Sequence, residues 1–214
     1  FANVYNDECI AKLEETKARR VIKELFYYYC LKLKPVCSED KIIRVVTGLL
    51  DENCYIIKNN DTCLVVDPGD DFPKIKKEIG DSKLLGVLIT HSHFDHIGAL
   101  RNFLTKKSVK IFKNSNVEDN KDYSIGDFKF RVYKTPGHSS DSITFHFIED
   151  KCMFVGDFIF KESIGRCDLP TGSIDNMKKS IEKILTFDDD ITLYTGHYDT
   201  TTLGYERTNN PYLN

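Results

Sequence analysis

Hydrophobic positions along the 214-residue chain change period once, near residue 40. Before that point Leu13, Val21, Ile22, Leu25, Phe26, Tyr29 and Leu33 recur near the three-to-four spacing of one helical face, with Lys, Arg and Glu between them. That spacing predicts a helix over about 7–33, ended by Pro35. Beyond it, short β-rich runs at 42–47, 54–58 and 62–67 are separated by turn residues such as Asn59, Asn60 and Asp61. A short helix is expected at 72–79, a buried strand at 84–90 and a helix at 97–104. Later strands are expected at 109–112, 128–133, 143–148, 152–155 and 191–194, with a helix at 174–185. The pattern predicts an α/β domain over 41–214 behind a helical extension over 1–40. Strand-end loops of such a domain can converge on one edge, where chemistry is usually placed.

Composition narrows this picture. The length suits one sizeable core better than two. A net charge of −3, with only short lysine clusters such as Lys76-Lys77 and Lys106-Lys107, gives nucleic-acid binding little support. No apolar run is long enough to span a bilayer. The cysteines at 9, 30, 37, 54, 63, 152 and 167 form no CxxC pair, which points to free thiols in a reducing compartment, cytoplasmic or organellar. Cys54, Cys63 and Cys152 lie in apolar strands and read as buried packing residues. The chain starts at Phe1, so any upstream leader is illegible, while Asp7, Glu8, Glu14, Glu15 and Glu24 argue against a cleavable transit peptide. The N-terminal helix reads instead as a packing or homodimerisation element.

Candidate chemistry concentrates in His91-Ser92-His93-Phe94-Asp95-His96, at the end of the apolar run 84–90. Three imidazoles and a carboxylate within six residues mix borderline nitrogen with hard oxygen donors, a set suited to zinc, iron or manganese. His138 follows Pro136-Gly137, Asp157 follows Val155-Gly156 and His197 follows Thr195-Gly196, each just after a strand-like run. A lone histidine after a strand is usually a surface or turn residue, and Asp95 could simply cap a helix. The density of the set outweighs both readings. Together the seven residues offer ligands for two divalent cations. His146, within a strand among phenylalanines, reads as structural.

The run HSHFDH, followed by PGHSSDS, VGDFIF and TGH, resembles the metallo-β-lactamase superfamily over about residues 42–214. The stretch from Val155 through Pro170, and the ending TLGYER with NPYL, are similar to short, single-domain hydroxyacylglutathione hydrolases of the glyoxalase II type. The resemblance implies a four-layer αβ/βα sandwich. It also implies that His91, His93 and His138 hold one metal, that Asp95, His96 and His197 hold the other, and that Asp157 bridges them. Asp67 would support the histidine loop. Hydroxide formed between the two cations would attack a thioester such as S-D-lactoylglutathione, with Asp95 and Asp157 as the catalytic carboxylates. Zinc is the expected metal, with iron or manganese as alternatives. Arg166 stands where a basic residue can meet a glutathione carboxylate. Asp199 replaces a glutathione-contacting Tyr, for which Tyr198 could partly substitute. Asp157, where zinc β-lactamases often carry Cys in this region, argues against antibiotic hydrolysis. The competing reading is a persulfide dioxygenase holding one iron with His91, His138 and Asp157, or a hydrolase of another ester or thioester.

Overall fold

A computed structural model describes residues 41–104 and 108–213. The helix expected over 7–33, and with it the division at residue 40, lie outside the described residues. Two mixed sheets form the centre. In the first, β1 (Ile42–Thr47), β2 (Glu52–Asn59) and β3 (Thr62–Val66) run antiparallel, and β4 (Lys83–Leu88) and β5 (Lys110–Phe112) continue parallel to β3. The second sheet has the order β13-β12-β9-β8-β7-β6. Its strands are β6 (Lys121–Ile125), β7 (Phe128–Lys134), β8 (Ile143–Phe147), β9 (Cys152–Gly156), β12 (Thr192–Thr195) and β13 (Thr201–Thr202). A small hairpin, β10 (Ile159–Phe160) with β11 (Ser163–Ile164), follows β9.

Alternation along the strands sorts the side chains into three apolar layers. Tyr55, Ile57, Leu64 and Val66 of the first sheet meet Phe130, Val132, Phe145 and Phe154 of the second. Val45, Cys54, Ile56 and Val65 point the other way, onto Ile75 and Ile79 of helix α1 (Phe72–Ile79). Met153, Val155 and Leu193 turn outward beneath Met177, Ile181 and Ile184 of α3 (Ile174–Ile184) and Leu203 of α4 (Leu203–Asn209). The result is the expected helix–sheet–sheet–helix order. Cys54, Cys63 and Cys152 are buried free thiols within these layers.

One end of the sandwich is stitched by bonds between the sheets. Asn53 donates its backbone N–H to Gly196 O at 2.7 Å, the Tyr55 hydroxyl donates to Thr195 O at 2.7 Å, and Ile143 N donates to Thr90 O at 2.8 Å. The loops that follow β4, β7, β9 and β12 all emerge there.

One expectation needs correction. The helix expected at 97–104 is instead one turn, α2 (Phe94–Ile97), followed by a 3-10 turn at Leu100–Asn102. Ala99 N–H donates to the carbonyls of Pro68 and Gly69 rather than within a longer helix, so the chain is turned aside before a second helical turn forms. The sequence reading also passed over β6, β10, β11, β13 and α4. β6 is an edge strand of alternating exposure whose sequence, KDYSI, carries only two hydrophobic residues; β10, β11 and β13 are two residues long.

His146 on β8 is buried, its ring 5.3 Å from Phe187 and 6.0 Å from Tyr133, and its Nδ1 lacks a partner. Burial, aided by the Arg131 charge, pushes its pKa down to about 4. Below pH 6.5 the unfolded chain therefore binds a proton that the folded chain refuses until about pH 4. His146→Phe is expected to remove up to about 3 kcal/mol of stability loss between those limits. Melting curves of both proteins from pH 7 to 4 check this; a gap that stays constant with pH would show that His146 is not the titrating group.

Candidate metal centre

The histidine loop is held by its backbone. Gly69 and Gly98 let two turns touch: a Cβ on Gly69 would stand 1.9 Å from Asp95 O, and one on Gly98 2.2 Å from Gly69 O. Beneath this contact Asp67 ends β3 in the left-handed region, at φ 46°. Its carboxylate accepts from Thr90 N at 2.7 Å, from the Thr90 hydroxyl at 2.5 Å and from His96 Nδ1 at 3.0 Å. Asp67 thereby fixes both ends of the loop that carries His91, His93, Asp95 and His96.

The outer nitrogens of the rings are tied to protein acceptors. The carbonyl of Arg166 accepts from His138 Nδ1 at 2.8 Å, and that of Leu50 from His197 Nδ1 at 3.0 Å. A carbonyl has no proton to give, so each of these rings carries its proton on Nδ1 and presents the Nε2 lone pair inward. The Thr90 hydroxyl, already donating to Asp67, accepts from His91 Nδ1 at 3.1 Å in the same way. His93 enters with the opposite nitrogen: its Nδ1 lies 3.1 Å from His91 Nε2 and 2.8 Å from His138 Nε2.

Three nitrogen lone pairs facing one another at such distances repel unless a cation lies among them. A second group forms beside the first, with Asp95 Oδ2 3.4 Å from His197 Nε2 and 3.9 Å from His96 Nε2. Asp157 stands between the groups. Its Oδ1 is 3.3 Å from His96 Nε2, and its Oδ2 is 3.4 Å from His138 Nε2 and 3.6 Å from His197 Nε2. His96 Nε2 and Asp157 Oδ1 are buried without a hydrogen-bond partner, an arrangement that costs several kcal/mol unless something binds there. Sets of three donors within 4.8 Å of one another include His91 with His93 and His138, and Asp95 with His96 and His197. The donors and their orphaned atoms fit two divalent ions.

Charge reinforces the geometry. Burial disfavours the Asp157 carboxylate, but above all the His96 contact and charge hold its carboxyl well below the usual range. Burial likewise works against Asp95, and His197 and His96 lower its pKa. His91 and His93 are pushed down by burial and by neighbouring imidazoles, so both stay neutral and able to donate a lone pair.

All seven sequence-predicted ligand candidates thus gather at one point. The two substrate candidates lie at its rim. Arg166 is exposed and paired with Asp168 through two 2.7 Å bonds, and it lines a cleft of about 630 Å³ with His93, Asp95, His138 and Asp157. Tyr198 is exposed and lines an adjoining cleft with His197. The sequence reading missed Glu52. This buried carboxyl accepts from the Thr47 hydroxyl at 2.7 Å, leaves Oε1 3.8 Å from His96 Nδ1, and is pushed by burial up to about 9. A charged residue opening an otherwise buried strand was the available signal.

A sandwich of two mixed sheets that gathers five imidazoles and two carboxylates at one edge defines a metal-dependent hydrolase. The chain belongs to the Metallo-beta-lactamase superfamily, whose model matches residues 47–128 and 115–197. It is 31% identical to the hydroxyacylglutathione hydrolase GloC of Haemophilus influenzae over 76% of this chain and 93% of that one. Among solved structures it is similar to the BLEG-1 B3 metallo-beta-lactamase (TM-score 0.77, 28% identity, 80% of this chain and 99% of that chain). It is also similar to TTHA1623 in a di-iron-bound form (0.72, 26%, 80% and 100%). ETHE1 from Myxococcus xanthus shares the fold (0.73, 23%, 79% and 83%). Among the described residues no helix is long and apolar enough to cross a membrane.

Proposed function

We propose that the chain is a binuclear thioesterase that hydrolyses glutathione thioesters such as S-D-lactoylglutathione. The observation that carries this reading is the Asp157 carboxylate, set between two complete donor groups and within 3.3–3.6 Å of His96, His138 and His197. His91, His93 and His138 would hold one ion and Asp95, His96 and His197 the other, with Asp157 within reach of both groups. Zinc suits these donors, and iron or manganese would also be accepted. Two divalent ions there supply Lewis acidity and a nucleophilic water near neutral pH.

The remaining tasks fall to the chain's own groups. The Arg166 and Leu50 carbonyls keep His138 and His197 in the tautomer that donates from Nε2. Asp95, half-buried at the cleft floor, orients the attacking oxygen. Arg166 meets an anionic end of the thiol moiety, and Tyr198 flanks the adjoining cleft. A thioester suits the site because a thiolate leaves without the strong protonation that an amine needs. The 31% identity to a hydroxyacylglutathione hydrolase supports the same choice.

Metal analysis coupled to three assays tests the proposal. Two ions per chain and oxygen-independent hydrolysis of S-D-lactoylglutathione, far above any turnover of a cephalosporin, are expected. One iron per chain with oxygen uptake on glutathione persulfide would overturn it.

A further inference from the structure

Two clefts meet at Leu50, which lines both. One carries Arg166 and most of the ligand candidates. The other, about 580 Å³, opens on His197 and is walled by the turn between β1 and β2. Two of the polar side chains on that wall, Arg44 and Asn53, are already engaged. Arg44 donates to the Tyr198 carbonyl at 3.0 Å and pairs with Asp199 at 3.3 Å, and the Asn53 amide donates to the Thr195 and Tyr198 carbonyls at 3.1 and 2.8 Å. Beside the Asp51 carboxylate, the exposed part of the wall is largely apolar. Leu49 is 102% exposed, Tyr198 71%, Leu50 53% and Val46 41%. Four large apolar side chains, contiguous along a cleft that reaches a candidate metal ligand, are unusual on a surface with nothing to bind.

We infer that this second cleft receives the acyl half of the substrate, and that it favours a hydrocarbon chain of several carbons over a short hydroxyacyl group. The inference rests on the thioesterase reading for the position of the scissile bond. Its own basis is the engagement of Arg44 and Asn53 and the exposure of Val46, Leu49 and Leu50, with the Tyr198 ring packed 5.5 Å from Phe160 at the cleft's edge. A small polar acyl group would leave that surface wet. A longer chain covers it, and each methylene withdrawn from water adds to binding. Complete burial of a methylene is worth about fourfold in affinity, so an open cleft should give roughly twofold per carbon.

The test uses the metal-loaded full chain and two series. In the first, kcat/KM is measured for acetyl-, butanoyl-, hexanoyl- and octanoylglutathione beside the D-lactoyl thioester. In the second, calorimetry measures binding of the product-like carboxylates from acetate to octanoate, which needs neither the glutathione moiety nor turnover. Both should rise about twofold per carbon, and Leu49→Ser and Val46→Ser should each flatten both slopes. Slopes that are flat or falling in the unmodified protein would overturn the inference. So would slopes that the two substitutions leave unchanged. If no thioester is turned over while carboxylate affinity still climbs with length, the acyl cleft stands and the thioesterase reading fails. If thioesters are cleaved at a length-independent rate and carboxylates bind without regard to length, the reverse holds.

Discussion

Replacing Asp157 with Ala lowers kcat/KM for a glutathione thioester by more than about 1000-fold, equivalent to about 4 kcal/mol of transition-state stabilisation. The size follows from position. The carboxylate is within 3.3–3.6 Å of three imidazoles drawn from both donor groups. Removing it takes away the single negative group that both proposed ions share, so they lose charge compensation and mutual spacing together. Bound metal should fall below two ions per chain. The fold should survive, because Asp157 follows β9 rather than lying within it, and His96 keeps its 3.0 Å contact with Asp67. Asp157→Asn isolates the charge, since it preserves volume; it should resemble Ala in rate. Kinetics, metal content and far-UV circular dichroism decide the matter. Near-normal turnover in either folded variant would refute the bridging role.

Gly69→Ala is expected to be among the most damaging single methyls near the metal centre. The new carbon would stand 1.9 Å from Asp95 O, 2.4 Å from Glu52 Oε2 and 2.9 Å from Thr47 Oγ1. Of these, the Asp95 carbonyl is backbone and cannot swing aside. Either the histidine loop lifts from the Asp67 turn or the strand ends part, and overpacking of this kind costs about 3 kcal/mol or more. The melting temperature should fall by about 10 °C, with loss of the ion proposed for Asp95, His96 and His197. Gly86→Ala is the comparator. There the nearest neighbour is Lys110 O at 3.1 Å, so only a small adjustment is needed and the fall should be a fraction of that for Gly69. Equal losses in the two variants would show that close packing at Gly69 is not what holds the loop.

Why the sequence revealed some of this and not the rest has a physical basis. The central strands could be read because burial on both faces demands apolar runs such as Cys63 to Val66 and Val87 to Ile89. The gathering of His91, His93, Asp95, His96, His138, Asp157 and His197 was foreseeable because each lies in a connection that follows a strand, and these connections emerge at one end of the sandwich. Residues 97–104 misled because Ile97, Leu100 and Leu104 keep a helical spacing while the Ala99 N–H is claimed by Pro68 and Gly69. No local pattern announces that distant competition. Glu52 was overlooked for a related reason: its value lies in reaching Thr47 and the neighbourhood of His96, contacts that exist only after folding. Edge elements such as β6 carry too little buried surface to leave a periodic trace.

The cross-sheet bonds at the metal end carry one more consequence. On the proposed ligation, His91, His93, Asp95 and His96 come from the first sheet's loop, while His138, Asp157 and His197 come from the second sheet. Neither half of a nascent chain therefore owns a full chelating set, and Asn53, Tyr55 and Ile143 must first find Gly196, Thr195 and Thr90. Metal uptake then tests closure: a molecule whose halves have met out of register keeps only partial sets, such as Glu52 with Asp67 and His96, and not the paired sites proposed for activity.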